Sequence, residues 1–149
     1  MIIIIEGPDG AGKTTQALRL SSQLRLPIRH RSRPKDEKEK ARMMAEYKNA
    51  ISSGRSEIWD RAWYSEMVYG PIMRDASVIS HEQMYELEDS LPEGSYILYC
   101  TGAPVELWER SQIRGEKYIT SFDDFCAIHQ AYEELMLQTI HTVQVKLHV

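Results

Sequence analysis

Gly7-Pro8-Asp9-Gly10-Ala11-Gly12-Lys13-Thr14-Thr15 is the stretch that decides the fold, and it directly follows the apolar run Ile2–Glu6. It matches the phosphate-binding loop pattern G-x-x-x-x-G-K-[ST] at every fixed position. The β-branched run before it predicts a buried strand, and the residues after it have helical character. The backbone N–H groups of such a loop converge on one anion, and the helix N-terminus adds partial positive charge. This context predicts a nucleoside-triphosphate site rather than a glycine-rich turn without ligand.

Individual positions of this loop carry different parts of the expected chemistry. Lys13 can reach the outer phosphates of a bound triphosphate, and the Thr14 hydroxyl can ligate Mg²⁺. The sequence therefore predicts ATP and Mg²⁺ as the cofactors. The residues expected to contact the donor nucleotide are Asp9, Gly10, Ala11, Gly12, Lys13, Thr14 and Thr15.

Length and composition narrow the class of protein. The 149 residues suffice for one domain with a substantial core, and the 42% apolar content is ordinary for a soluble globular chain. The net charge of −4 argues against a general nucleic-acid binder, although the basic run Arg29–Lys35 leaves a local patch open. Cys100 and Cys126 match no metal spacing, which favours reduced thiols in a cytoplasmic protein. The apolar run Ile2–Ile5 is too short for a membrane or signal segment, so we expect no membrane partner.

The rest of the chain predicts strands that alternate with helices. Such alternation indicates an α/β fold in which a central parallel sheet has helices on both faces. We treat residues 1–149 as a single domain of this kind. Expected strands cover 2–6, 27–31, 57–59, 96–100 and an edge strand through 143–149, and expected helices cover 13–24, 36–52, 63–70, 81–90, 104–110 and 125–139.

Asp60 and Arg61 follow the third expected strand, and ligands of parallel sheets bind at the carboxyl ends of strands. P-loop enzymes commonly hold a carboxylate near Mg²⁺ there, so Asp60 is a candidate metal ligand. Asp60 also suits the N-cap of the following helix, and the two roles are compatible. The Arg61 guanidinium can grip a second phosphate with two parallel hydrogen bonds.

A polar stretch around 110–120 contains Arg110, Arg114 and Lys117 and follows a short expected helix. Arginines that close over a transferring phosphoryl group stabilise its charge, and a mobile lid keeps water away from it. This stretch is therefore a candidate lid. The alternative is a solvated helix end and loop.

Together these motifs resemble the thymidylate kinase-like branch of the P-loop nucleotide kinases, particularly the compact versions encoded by bacteriophages. The resemblance implies the P-loop nucleoside-phosphate-kinase fold, an α/β/α sandwich, and a location in the host cytoplasm if a phage encodes the chain. It covers most of the sequence. The segments that carry it are Ile5–Gln16, Asp60-Arg61, Ser65–Pro71, Arg110 with Arg114-Gly115-Glu116, and Ala131–Leu135.

The resemblance also implies roles for single residues. Asp9 would contact the acceptor's sugar hydroxyl, Arg61 would hold the acceptor's phosphate, and Asp60 would organise Mg²⁺. Arg110 and Arg114 would be the lid arginines, as in the subfamily whose phosphate loop lacks an arginine.

The acceptor side departs from the family pattern. The family's Arg-Glu-Pro becomes Ser32-Arg33-Pro34, so Arg33 is a shifted candidate for acceptor binding, and Tyr69 is a second candidate. Only the 26 residues Pro34 to Trp59 separate Arg33 from Asp60, fewer than is typical of the family. We expect an abbreviated or open base pocket, for which Arg42 and Tyr47 are the available side chains.

Three functions are consistent with these residues. The leading one is transfer of the γ-phosphoryl group of ATP to a deoxynucleoside monophosphate, most simply dTMP to dTDP. The alternative is a kinase acting on a hydroxyl, either of a deoxynucleoside or of a hydroxymethylated pyrimidine in phage DNA (a DNA modification). Glu6 or Asp60 would then be the base, a role that resemblance to the deoxynucleoside kinases gives to the Glu6 position. A nucleotide-dependent switch or ATPase is third.

A homodimer is a possible assembly, because relatives of the thymidylate kinase type are often dimers. The aromatic helix around Trp63 and Tyr64 is a candidate interface and equally a candidate part of the core.

Overall fold

A parallel β-sheet forms the centre of the computed structural model, which describes residues 1–139 and 142–146. In these residues, five strands pair in the order β2-β3-β1-β4-β5, and every pairing is parallel. The prediction of an α/β fold with a central parallel sheet is confirmed. The strands are β1 (Ile2–Glu6), β2 (Ile28–His30), β3 (Glu57–Asp60), β4 (Tyr96–Thr101) and β5 (Thr142–Lys146).

Helices connect the strands and cover the sheet, as the crossovers between parallel strands require. Three of them begin at side-chain caps that the sequence makes recognisable, Asp36 before α2, Ser80 before α4 and Ser121 before α6. The helices are α1 (Lys13–Leu24), α2 (Glu37–Ser52), α3 (Trp63–Tyr69), α4 (His81–Ser90), α5 (Pro104–Ile113) and α6 (Phe122–Met136).

Several helix boundaries differ from the sequence-based prediction, and α6 begins and ends three residues earlier than expected, at Phe122 and Met136. The chain does not leave the helical path at Gly70-Pro71 but continues as a π-helical turn through Arg74. Proline is tolerated at the start of this turn, where its missing N–H group breaks no helical hydrogen bond. Gly70 leaves room for the chain that follows, because a Cβ there would lie 2.7 Å from the Ala76 carbonyl oxygen. Helix α5 extends to Ile113, three residues beyond the predicted end at Arg110, so the first part of the predicted lid segment is helical.

The core lies around the central strand, where Ile2–Ile5 are all 1% exposed or less. Trp63 and Tyr64 are fully buried beside Trp59 and Tyr47. They are therefore core residues and do not form an exposed surface to which a second copy of the chain could bind. A homodimer through another surface stays a prediction.

Strand β5 lies at the edge of the sheet and pairs with β4, as expected of the last strand. The predicted strand residues Leu147 and Val149 lie outside the described residues. Among the helices of the described residues, none has the length and apolarity needed to cross a bilayer.

Candidate active site

The phosphate loop leaves β1 through backbone conformations that only glycine adopts readily. Gly7 has φ 146°, and a Cβ there would lie 2.0 Å from the Cys100 carbonyl oxygen on β4. Gly12 precedes α1 with φ 82°, and no side chain of the described residues caps that helix. The first N–H groups of α1 are therefore available to an anion.

Lys13 is buried beneath the loop, and its Nζ donates to the Pro8 carbonyl oxygen over 2.8 Å. Burial, together with the nearby positive charge of Arg61, lowers the pKa of Lys13 to about 8, although Asp9 and Glu6 act in the opposite direction. An anion bound at the loop would favour the charged form. The position suits a side chain whose natural partner is a phosphate.

Arg61 is fixed beside the loop by several contacts. Its φ of 74° is unusual for a residue with a side chain, and such conformations concentrate at functional sites. Nη2 donates to Asp9 Oδ1 over 2.7 Å, while Nη1 donates to Ser65 Oγ over 3.1 Å and to the Tyr132 hydroxyl over 3.3 Å. The guanidinium is thus oriented before any ligand binds.

Glu6, at the end of β1, has no exposed surface and accepts four hydrogen bonds. Oε1 accepts from the backbone N–H groups of Ala62 and Ser65 over 2.7 and 3.2 Å. Oε2 accepts from Ser65 Oγ over 2.7 Å and from the Tyr132 hydroxyl over 3.0 Å. Burial raises the pKa of Glu6, although Arg61 and these donors oppose the shift. Four donors match the four lone-pair positions of a carboxylate.

Glu6 therefore accepts the hydrogen bonds of the N–H groups at the start of α3. The sequence suggested Asp60 for this capping role. The N-cap residue of α3 is Ala62, which has no side-chain oxygen. A carboxylate from another strand thus takes the place of the local cap.

Asp60 is instead paired with His30, whose Nδ1 lies 2.8 Å from Asp60 Oδ2. The two residues are register partners on the adjacent parallel strands β2 and β3. The sequence does not reveal this partner of Asp60, because the pairing of strands β2 and β3 depends on the tertiary fold.

The residues predicted to hold Mg²⁺ fit that ion chemically. Asp60 is 13% exposed, and its charge acts on Lys13 by opposing the lowering of the Lys13 pKa. Thr14 is exposed at the start of α1. Carboxylate and hydroxyl oxygens beside substrate phosphates are the ligands that Mg²⁺ prefers.

A cavity of about 440 Å³ opens next to the loop on the acceptor side. Five cationic side chains and three carboxylates line it, so the cavity is positive although the chain is negative overall. Arg33, Tyr47, Arg61 and Tyr69 are among its lining residues, as the sequence suggested. Arg42 is not, and lines a smaller adjoining cavity of about 240 Å³. Lining residues that the sequence did not assign to acceptor binding include Arg31, Met43, Glu66, Arg74, Glu116 and Tyr118.

The predicted lid segment lies against this cavity through Tyr118. The Tyr118 hydroxyl accepts from Arg74 Nη1 over 3.0 Å, and the Arg33 guanidinium carbon lies 3.8 Å from the centre of its ring. Tyr118 also stacks on Tyr69, with ring centroids 6.1 Å apart. The segment thus touches both the β2–α2 connection and the turn after α3.

The two lid arginines occupy different places. Arg110 Nε donates to the Gly10 carbonyl oxygen over 3.0 Å, which places Arg110 at the phosphate loop. Arg114 is exposed at the C-terminal end of α5. The structure brings together Glu6, Asp9, Arg61 and Arg110 with the loop, but it does not bring Arg114 to them.

Comparison with known proteins places this site in context. No family model matches the sequence. The chain is 31% identical over 142 residues to the SPbeta prophage-derived uncharacterized protein YorR of Bacillus subtilis. The alignment covers 95% of this chain and 86% of YorR.

Solved structures show the same fold. The crystal structure of YorR in complex with phosphorylated GDP has a TM-score of 0.83 and 27% identity, covering 98% of this chain and 85% of that chain. A deoxyadenosine kinase from M. mycoides with bound dCTP has a TM-score of 0.69 at 18% identity, covering 100% of this chain and 93% of that chain. The fold is that of the P-loop kinases.

Proposed function

The chain belongs to the family of the Bacillus subtilis prophage protein YorR, and we propose that it transfers the γ-phosphoryl group of ATP to a deoxynucleoside monophosphate. One observation carries this proposal: Asp9 belongs to the phosphate loop, lines the cavity and accepts from Arg61. The loop that suits a donor nucleotide is therefore also a wall of a cavity large enough for a second small molecule.

The charge of the cavity supports an acceptor that already carries a phosphate. Arg31, Arg33, Arg61 and Arg74 all line it. Planar guanidinium groups match phosphate oxygens in pairs. A phosphate oxygen is ionised near neutral pH and needs no strong base. This agrees with a Glu6 carboxylate that four donors already occupy, and it supports a positioning role for Glu6.

In this reading the chain's own residues act by position and charge. Lys13 and the N–H groups of the loop hold the donor phosphates, Arg61 orients the acceptor phosphate, and Arg110 stabilises charge at the loop. Thr14 and Asp60 would hold Mg²⁺, which neutralises phosphate charge when it is bound with ATP.

Thymidylate is the first acceptor to test, because the phosphate loop and Asp60-Arg61 resemble the thymidylate kinases. Guanine nucleotides belong in the same panel, because YorR was crystallised in complex with phosphorylated GDP.

A hydroxyl acceptor is the second candidate, and one observation favours it. The adjoining cavity shares Arg31, Ser32, Pro34, Met43 and Tyr47 with the larger one, so the site extends along α2. An extended site suits a larger acceptor, such as a modified base within DNA.

The deciding experiment measures ADP release from ATP with each acceptor in turn. The panel contains dTMP, dGMP, GMP, the other deoxynucleoside monophosphates, thymidine, and plain and hydroxymethylated DNA. We expect dTMP to stimulate release most. The Lys13→Ala variant should be inactive, and Lys48→Ala, a surface lysine paired with Glu86, is the matched control. Stimulation by thymidine or DNA alone would select the hydroxyl acceptor, and stimulation by none would contradict both.

A further inference from the structure

Two hydroxyl groups lie between the buried carboxylate of Glu6 and the guanidinium of Arg61. They belong to Ser65 in α3 and to Tyr132 in α6, and their oxygens are 3.1 Å apart. Each oxygen is within hydrogen-bond distance of both charged groups: the distances are 2.7 and 3.0 Å to Glu6 Oε2, and 3.1 and 3.3 Å to Arg61 Nη1. The four side chains therefore form one connected network.

The chemistry of the two charged groups fixes the direction of the bonds in this network. A guanidinium only donates, so both hydroxyl oxygens accept from Arg61. An ionised carboxylate only accepts, so both hydroxyl hydrogens point to Glu6 Oε2. The backbone N–H groups of Ala62 and Ser65 occupy the other oxygen, Oε1. Glu6 thus holds both hydroxyls with their lone pairs turned to Arg61.

This arrangement decides which N–H groups of Arg61 are left for a ligand. A guanidinium has five, two on each Nη and one on Nε. The two hydroxyls accept the hydrogens of Nη1, and Asp9 Oδ1 accepts one from Nη2. Within the described residues, one N–H on Nη2 and the N–H on Nε stay available. Because Arg61 lines the acceptor cavity, these two can donate to a phosphate bound there.

The two hydroxyls belong to parts of the fold that are firmly packed. Tyr132 has no exposed surface, and its ring packs against Tyr69 and Tyr99 with centroids 6.2 and 6.0 Å away. Ser65 lies in the first turn of α3, where its backbone N–H bonds to the same carboxylate. Arg61 therefore cannot turn its guanidinium without losing two hydrogen bonds to fixed partners.

We propose that Ser65 and Tyr132 are positioning residues for phosphoryl transfer: by accepting from Nη1, they direct the remaining N–H groups of Arg61 to the phosphate of the acceptor. This inference rests on the proposed function, because it needs an acceptor phosphate at Arg61. Glu6 holds the two hydroxyls in place, which an amide of the same shape can also do.

The test removes one hydroxyl and keeps the ring. Tyr132→Phe should lower kcat/KM for the best monophosphate acceptor about tenfold and raise its KM, because Arg61 loses one of its two fixed partners on Nη1. The Kd for ATP should not change. Ser65→Ala should act in the same direction.

Tyr64→Phe is the matched control. Tyr64 is as fully buried as Tyr132 and also donates to a carboxylate, Glu88 Oε1, over 2.6 Å. Among the described residues, however, it is not one of those that line the cavity. The control should therefore lose stability in urea without a change in the KM for the acceptor.

A purely structural role for Tyr132 predicts a different result. Loss of folded protein would lower kcat and leave the acceptor KM unchanged, as in the control, and this outcome would overturn the inference. A double-mutant cycle with Arg61→Ala gives a second criterion, because the hydroxyl has nothing to hold once the guanidinium is gone. Tyr132→Phe should then change kcat/KM less than about twofold in that background. A further tenfold loss there would also overturn the inference.

The remaining outcomes separate this inference from the proposed function. If Tyr132→Phe does not fold, Ser65→Ala enters the same cycle with the same expected result. A wild type that phosphorylates a monophosphate with a KM insensitive to both hydroxyls contradicts only the inference. A wild type that transfers phosphate to no monophosphate contradicts both.

Discussion

The Arg61 guanidinium donates to the Asp9 carboxylate over 2.7 Å, and this ion pair joins the end of β3 to the phosphate loop. Asp9 is part of the loop that suits the donor nucleotide, while both residues line the acceptor cavity. The two halves of the candidate site therefore share a wall. A change in either residue should affect the acceptor side before it affects ATP binding.

Arg61→Lys should reduce kcat/KM for the acceptor by about 100-fold, because lysine keeps the charge but cannot form two parallel bonds to a phosphate. The dissociation constant for ATP should change little. Steady-state kinetics with each substrate varied separately measures both effects. The control is Arg55→Lys, because Arg55 is mostly exposed and lies before the first residue of β3, at the end of the strand opposite Arg61. An equal loss of ATP affinity would contradict the assignment of Arg61 to the acceptor.

Glu6→Gln should retain most of the rate with a monophosphate acceptor. The amide keeps one oxygen for the Ala62 and Ser65 N–H groups, and the hydroxyls of Ser65 and Tyr132 can accept from its nitrogen. Rates measured near neutral pH test this. A loss of several orders of magnitude would instead identify Glu6 as a general base.

The same Glu6→Gln variant should change how stability depends on pH. Because burial raises the pKa of Glu6 above 4.5, the folded state binds its proton more tightly than the unfolded state. The stability that Glu6 contributes is present below pH 4.5 and is lost as the pH rises through its folded pKa. Urea unfolding of both proteins across this range should show the variant gaining stability relative to the wild type as pH rises. A constant difference would contradict this.

Arg110→Ala should lower kcat by about 100-fold, because its side chain lies at the phosphate loop and is placed to stabilise transferred charge. Arg114→Ala is the matched comparison, since Arg114 is exposed at the end of the same helix. We expect the smaller loss from Arg114→Ala. The reverse order would show that the segment after α5 moves Arg114 into the site during turnover.

Removal of Mg²⁺ with EDTA should abolish turnover, and Asp60→Asn should raise the Mg²⁺ concentration for half-maximal rate by about tenfold or more. His30→Ala should produce a smaller shift in the same direction, because it removes the hydrogen bond that orients Asp60. Titrations of rate against Mg²⁺ measure both. An unchanged Mg²⁺ requirement in Asp60→Asn would remove Asp60 from the metal site.

Several features of the fold could be predicted because they are local in sequence. Ile2–Glu6 reads as a buried strand from its unbroken apolar run, and α4 begins directly after its N-cap residue Ser80, as the cap chemistry indicates. The end of α5 was wrong by three residues. Ser111 looks like a loop residue in the sequence, but it lies within α5, where its hydroxyl donates to the Trp108 carbonyl oxygen.

The sequence by itself determined the phosphate-loop side of the candidate site, because consecutive residues of one loop supply its glycines, lysine and threonine. Only the tertiary structure decided the acceptor half. Glu6 meets Tyr132 across 126 positions, Asp60 meets His30 through strand register, and Arg74 meets Tyr118 through a turn and the segment after α5. Such contacts depend on strand order and on the packing of distant segments, which no local periodicity encodes.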